Sequence, residues 1–373
     1  MKALCLLAAV CWPAIGHANP WSMRNGRTFD AELVAADGLR ATFTVSGKPP
    51  AVIPFHDLTD ESREAVRKWR ADWIKPLVLP AKLGPWPAEA KAPAAEPAFK
   101  ATQGGHFEYR SRHFLVRSDL KLPPYAAADI TRVLEATRSA MIALPIGLHA
   151  GDERGLYQIH LFRDAEGYAK AGGIGGSGGH YNARSDRTIL LLPNFGIEQT
   201  AAGLRVDYAK NLFILRHEVT HQLLSRWHRR LPMWLNEGIA EFIASLPYSQ
   251  GNYSLRNPSA GLRDYILKWR ADKNDREITL IPPSQLMPMT KRDWDDAVGK
   301  LNAYDHYNSA GILTCYLIQK DGGKSIAAFL DALRRGVEPA AAESEFMLGG
   351  APRETLNEEV TAFCAKLGIQ TGP

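Results

Sequence analysis

The chain has 373 residues, long enough for two domains or one large one. Hydrophobic residues make up 45% and charged residues 23%, which is ordinary for a globular protein. The formal net charge of +5 is small for this length and gives no reason to invoke a nucleic-acid partner.

The first residues read as a secretory signal. Lys2 supplies the positive start, Ala3 to Val10 the apolar core, and Gly16-His17-Ala18 a small-residue cleavage site. The apolar run is too short to span a bilayer, and no later stretch reaches about 20 apolar residues. The expectation is an exported protein, periplasmic or extracellular, that loses residues 1–18 and keeps no integral membrane segment. A lipid anchor at Cys11 is the weaker reading, because Val10 is a poor residue before a lipidated cysteine. After processing only Cys315 and Cys364 remain. Two cysteines in an exported chain suggest one disulfide, with two buried thiols as the alternative.

Residues 19–75 predict a small β-rich unit. Phe29, Ala31 and Leu33 alternate with Thr28, Asp30 and Glu32, the period of a half-buried strand. Asp37-Gly38 marks a turn, Ala41, Phe43 and Val45 alternate again, and Ala51-Val52-Ile53 follows Gly-Lys-Pro-Pro. Thr59 then caps a short helix carrying Ala65, Val66 and Trp69. Short strands joined by tight turns predict a small barrel. Residues 76–104, rich in Pro and Ala, predict an extended linker.

A main domain is expected over 105–373. Phe107 to Val116 predicts a strand pair, Tyr125 to Leu144 a helix, Tyr157 to Leu161 a strand, and Thr188 to Leu192 another. The glycine run Gly172 to Gly179 lacks the Gly-Lys-Ser/Thr ending of a phosphate loop and is expected as a lid or edge-strand connection near the site. A helix is expected from about Val206 to Trp227. Beyond Phe242 the pattern is helical, at Leu262 to Trp269, His306 to Gln319, Lys324 to Leu333 and Thr355 to Lys366.

The chemistry sits in His217-Glu218-Val219-Thr220-His221. Residues i and i+4 share a helical face, so both imidazoles can grip one Zn²⁺, about 6 Å apart along the axis. Glu218 lies beside them, placed to act as general base. A hydrolytic zinc site has three protein ligands and an open position. The metzincin pattern fails for the third, since Leu224 and Trp227 stand where it needs Gly and His. His228 lies about 10.5 Å further along the axis, too far. Glu237 is the nearest carboxylate downstream, and Glu241, one turn on, can hold a ligand histidine by its other nitrogen. His160, His180 and His306 are expected to be ordinary polar residues.

The string Trp234-Leu235-Asn236-Glu237-Gly238-Ile239-Ala240-Glu241 after His-Glu-x-x-His resembles the gluzincin zinc metallopeptidases. The Leu231-to-Glu241 segment is most similar to the small gluzincin-like families. The resemblance implies an α+β fold of a sheet, a metal helix and a helical C-terminal lobe. It implies zinc held by His217, His221 and Glu237, with a peptide or protein as substrate. In a related branch a tyrosine that stabilises the oxyanion opens a helix as Tyr-x-Lys-Gly-Ala. Tyr307-Asn308-Ser309-Ala310-Gly311 is similar in placement, although Ser309 replaces the lysine and the small residues shift. Tyr304 and His306 remain alternatives. Aminopeptidases of that branch hold the substrate amine with a glutamate. Gly172 to Asn182 carries no acid, which favours an endopeptidase.

The N-terminal unit resembles the Sla-type homology domain, an SH3-like β-barrel, through Asn25 to Leu33, Ile53-Pro54 and Leu58-Thr59. That implies a possible protein partner for this domain. The competing reading is a catalytically inactive metal-site protein that works as a binding or scaffold module.

Overall fold

The computed structural model describes residues 19–36, 40–45, 48–73, 86–94, 97–101, 105–148, 156–201, 203–207, 212–225, 227, 230–270, 277–300 and 303–372. The signal at 1–18, the turn at Asp37-Gly38 and His228 lie outside these residues. The architecture is α+β, with helices and several separate sheets. Two compact units emerge, one of residues up to 76 with 334–336, the other of 77–333 with 337–373.

In the first unit, β1 (Asn19–Ser22), β2 (Thr28–Ala36), β3 (Arg40–Thr44) and β4 (Ala51–Pro54) form an antiparallel meander, followed by α1 (Asp60–Trp73). The alternation does its expected work: Ala31 and Leu33 are buried while Asp30 and Glu32 are exposed. Trp21 sits edge-on to Phe43 at 4.9 Å, and its indole N–H donates to the Ala31 carbonyl at 2.8 Å. The expected barrel does not close among the described residues. β4 ends at Pro54, which has no N–H for a ladder, and the chain turns into a 3₁₀ segment over Phe55–Asp57. A single bridge, Met23 to Leu58, brings the end of β1 beside the stretch after β4.

The second unit begins earlier than the sequence implied. β5 (Glu89–Lys91) and β6 (Ala98–Ala101) lie inside the expected linker. β6 pairs with β7 (Phe107–Arg110), which pairs with β8 (Phe114–Ser118). Trp86 donates to the Gly322 carbonyl at 2.9 Å and meets Phe242 edge-on at 6.3 Å. The described residues of the Pro/Ala-rich stretch are therefore part of this unit, because the β5 backbone and the Trp86 indole find partners far away in sequence.

After β8 the chain crosses through α2 (Pro124–Ala143) to β9 (Tyr157–Phe162), parallel to β8. α3 (Ala165–Lys170), capped by the Asp164 carboxylate at Gly167 N–H, leads to β10 (Gly179–Asn182) and β11 (Arg187–Leu191). The six-stranded order is β10-β11-β9-β8-β7-β6, with β10 at one edge. Val206, expected to begin the metal helix, instead ends a hairpin of β12 (Ile197–Thr200) with β13 (Gly203–Val206). Gly203 makes that hairpin possible, since its φ of 118° suits no side-chain-bearing residue.

α4 (Phe213–Leu223) and α5 (Met233–Ser245) follow, and α4 packs on the sheet beside α2. β14 (Tyr248–Ser249) and β15 (Asn252–Ser254) return the chain, and β15 pairs with β5. The remaining lobe holds α6 (Pro258–Tyr265), β16 (Glu277–Thr279), α7 (Pro283–Leu286), α8 (Lys291–Lys300), α9 (Ala303–Asp321), α10 (Lys324–Arg334), α11 (Pro339–Ala342), α12 (Thr355–Leu367) and β17 (Gln370–Gly372). The suggested disulfide is absent. Cys315 on α9 and Cys364 on α12 are both buried free thiols, and burial pushes each up to about 12. Among the described residues, no helix is long and apolar enough to cross a membrane.

Candidate metal centre

α4 is buried nearly all round, from Leu215 through Leu223 except half-buried Glu218. A helix so placed can carry polar side chains only if each finds a partner. Thr220 Oγ1 returns to the Arg216 carbonyl at 2.7 Å. Arg216 donates to the Leu246 carbonyl at the end of α5, at 3.0 Å, and lies 5.8 Å from the rings of both Tyr248 and Tyr253.

His217 and His221 turn toward α5 and meet Glu237. Their Nε2 atoms are 3.1 Å apart, and Glu237 Oε2 is 3.4 Å from His217 Nε2 and 3.2 Å from His221 Nε2. Among the described residues, this buried triad is the group whose donor atoms converge so as to hold a metal ion. His160, His180 and His306 are not in it.

The electrostatics match a cation site. Burial disfavours a charged imidazole at His217, but Glu237, Glu241 and Glu218 outweigh it and raise the group to about 10. Burial also acts against an ionised Glu237, yet His221 and His217 hold its carboxyl well below the usual range. Carboxylates and imidazoles are thus packed where a positive charge is wanted.

Two groups brace the histidines from behind. Glu241 Oε1 lies 3.3 Å from His217 Nδ1, the placement expected from the sequence. The Asn236 side-chain amide lies 3.3 Å from His221 Nδ1. If His221 offers its Nε2 lone pair to a metal, its proton sits on Nδ1 and must be accepted by Asn236 Oδ1. The two ends of an amide are assigned from their surroundings, so that orientation satisfies both groups. The sequence string contained Asn236, but nothing in the local pattern marked this role.

Glu218 faces β10, whose Tyr181 N–H donates to Glu218 Oε2 at 2.9 Å. The close approach explains part of the glycine run. A Cβ at Gly179 would press on Leu190 and come within 3.3 Å of Glu218 Cγ. At Gly178 it would collide with Asn194 and Ile214. The run was expected as a lid or edge-strand connection, and its last glycine opens the edge strand β10.

Of the three oxyanion candidates, the geometry brings Tyr307 to the triad. Its ring lies 5.9 Å from that of His217 and 5.6 Å from Trp294, both edge-on. Burial, then the charges of Glu237 and Glu218, raise its phenol well above the ordinary value, so it keeps its proton. Tyr304 is 48% exposed, and His306 is buried against Trp294 at 5.6 Å. Ser309 has local work: it accepts from Ile281 N–H and donates to the Asp305 carbonyl.

α5 and α9 cross with almost no space between them. A Cβ at Gly238 would run into Thr314 Oγ1 and the Ala310 carbonyl. One at Gly311 would lie 3.0 Å from Glu241 Cβ. These two glycines set the distance between the helix of Glu237 and the helix of Tyr307. A scan against protein-family models and a search of curated proteins both found no match.

Proposed function

We propose that this chain is a zinc-dependent metallopeptidase of the gluzincin type, exported, behind a small N-terminal β-rich module. The observation that carries the reading is the triangle of His217 Nε2, His221 Nε2 and Glu237 Oε2, with edges of 3.1, 3.2 and 3.4 Å. Tetrahedral zinc with bonds of about 2.0–2.1 Å needs ligand atoms about 3.3–3.4 Å apart, so the donor set fits the ion. His217, His221 and Glu237 would hold it. When bound, zinc supplies Lewis acidity toward a peptide carbonyl and toward water.

The residues around the triad have separable tasks. Glu218, oriented by the Tyr181 N–H, accepts a proton from the attacking water and passes it to the leaving amine. Tyr307, kept protonated, donates a hydrogen bond to the oxygen that becomes negative. β10 is an outer strand, and an extended peptide laid along it would pass Glu218. Residues 172–182 offer no carboxylate to a substrate amine, which favours cleavage within chains.

The test is metal analysis of the purified protein with digestion of a peptide library before and after chelation. The reading expects about one zinc per chain and hydrolysis that chelation abolishes. Full metal content in His221→Ala would sink the ligand assignment. Zinc without turnover, together with a partner captured by residues 19–75, would favour the scaffold alternative.

A further inference from the structure

The six-stranded sheet has two unlike faces. Toward α2 and α4 it presents Tyr109, Phe114, Val116, Ile159, Leu161 and Leu190, all buried. Strand alternation and register put Lys100, Glu108, Arg110, Arg117, His160 and Arg187 on the opposite face. α3 covers one end of that face, where Tyr168 meets His180 edge-on at 6.3 Å. Lys100, Arg110 and Arg187 are exposed, and their side chains make no ion pair among the described residues.

The charge on this face is one-sided. Glu108 is engaged by Arg117, whose Nε donates to it at 2.7 Å while Nη1 reaches Gln158 at 3.0 Å. Of the nearby acids, Asp119 lies 3.9 Å from the Arg163 guanidinium, and Asp186, which accepts from Tyr181 O–H, stays a negative charge at the β10–β11 turn. Four cationic side chains therefore stand against one carboxylate on the face itself. Their field is felt at His160, pushed down to about 4 by burial and then by Arg187, Arg117 and His106.

We infer that this cationic face, across the sheet from the helix of His217 and His221, is an exosite that holds an acidic stretch of a polypeptide substrate. The inference rests on the peptidase reading for its choice of occupant. The charge complements an acidic chain, and β11, which carries Arg187, pairs with the edge strand β10, whose Tyr181 N–H bonds Glu218. A polypeptide lying across it is led to the edge where Glu218 waits. Exposed charges of this kind act jointly and are screened by salt, so they steer and hold a partner in a salt-dependent way.

The experiment is fluorescence anisotropy with a labelled decaglutamate peptide, a decalysine peptide and a single-stranded oligonucleotide, on the full chain. Decaglutamate should bind, and raising salt from about 20 to about 200 mM should weaken it about tenfold. Arg110→Glu/Arg187→Glu should lose about tenfold or more, Arg187→Gln about threefold, and Arg292→Glu on α8 nothing. Zinc content and thermal stability should stay unchanged in all three variants, since the sites are exposed. Binding should persist in His221→Ala, which separates this inference from failure of the metal reading. Equal binding by the double charge reversal, or binding of the oligonucleotide but not of decaglutamate, would overturn it.

Discussion

Two histidine–glutamate groupings in the second unit make an instructive pair. At the β7–β8 turn, Glu135 of α2 accepts from Ser111 Oγ at 2.7 Å, His113 N–H at 2.8 Å and His113 Nδ1 at 2.7 Å. Every contact joins a donor to an acceptor. At the α4–α5 crossing, two imidazole nitrogens and a carboxylate oxygen crowd within 3.4 Å of one another. Both groupings join His to Glu; what separates a staple from a candidate metal site is whether lone pairs face protons or face each other.

That contrast can be broken by substitution. His221→Ala or Glu237→Ala should abolish stoichiometric zinc, read by elemental analysis, because two ligands rarely retain the ion. Glu218→Gln should keep the zinc and lower kcat by about 10³-fold, the range of a lost general base. Tyr307→Phe should preserve zinc and melting temperature while cutting kcat by about 10²-fold. If it turns over normally while Tyr304→Phe or His306→Ala does not, the role belongs to the neighbour.

At the staple the effect should fall on stability alone. Glu135→Ala leaves three donors without their acceptor and should cost about 2 kcal/mol in denaturant unfolding, with zinc content intact. Loss of zinc from that variant would erase the distinction drawn above. The smallest effect is expected at Asn236→Ala, where losing the brace on His221 should weaken zinc about tenfold in a competition titration. An unchanged affinity there would show that packing alone orients the ring.

The pieces legible in the sequence were those whose signal is local. His217 and His221 announce themselves by spacing on one helix, and Glu237 and Glu241 by one turn on the next. The strands β8, β9 and β11 follow from alternation. What stayed hidden depends on distant partners. β5 and β6 lie in a stretch that composition marks as a linker, and only pairing with β15 and β7 makes them strands. β10 begins in a glycine run whose smallness serves Leu190 and Glu218, far away in the chain. The metal helix was drawn too long at its start because Val206 suits either state; pairing with β12 decides it. The disulfide inference counted cysteines by compartment, whereas the helices hold both thiols as small apolar groups.

The glycine seam between α5 and α9 has a consequence for tolerance to change. Most packing defects are absorbed by side chains, which swing aside at modest cost. Where one main chain lies against another there is nothing to swing, and a single added carbon at position 238 must move a whole helix. The span from the Glu237 carboxylate to the Tyr307 phenol is therefore set by skeletal contact, like the gap of a caliper. Such a gauge holds its setting while the surface varies freely, and fails at one methyl group.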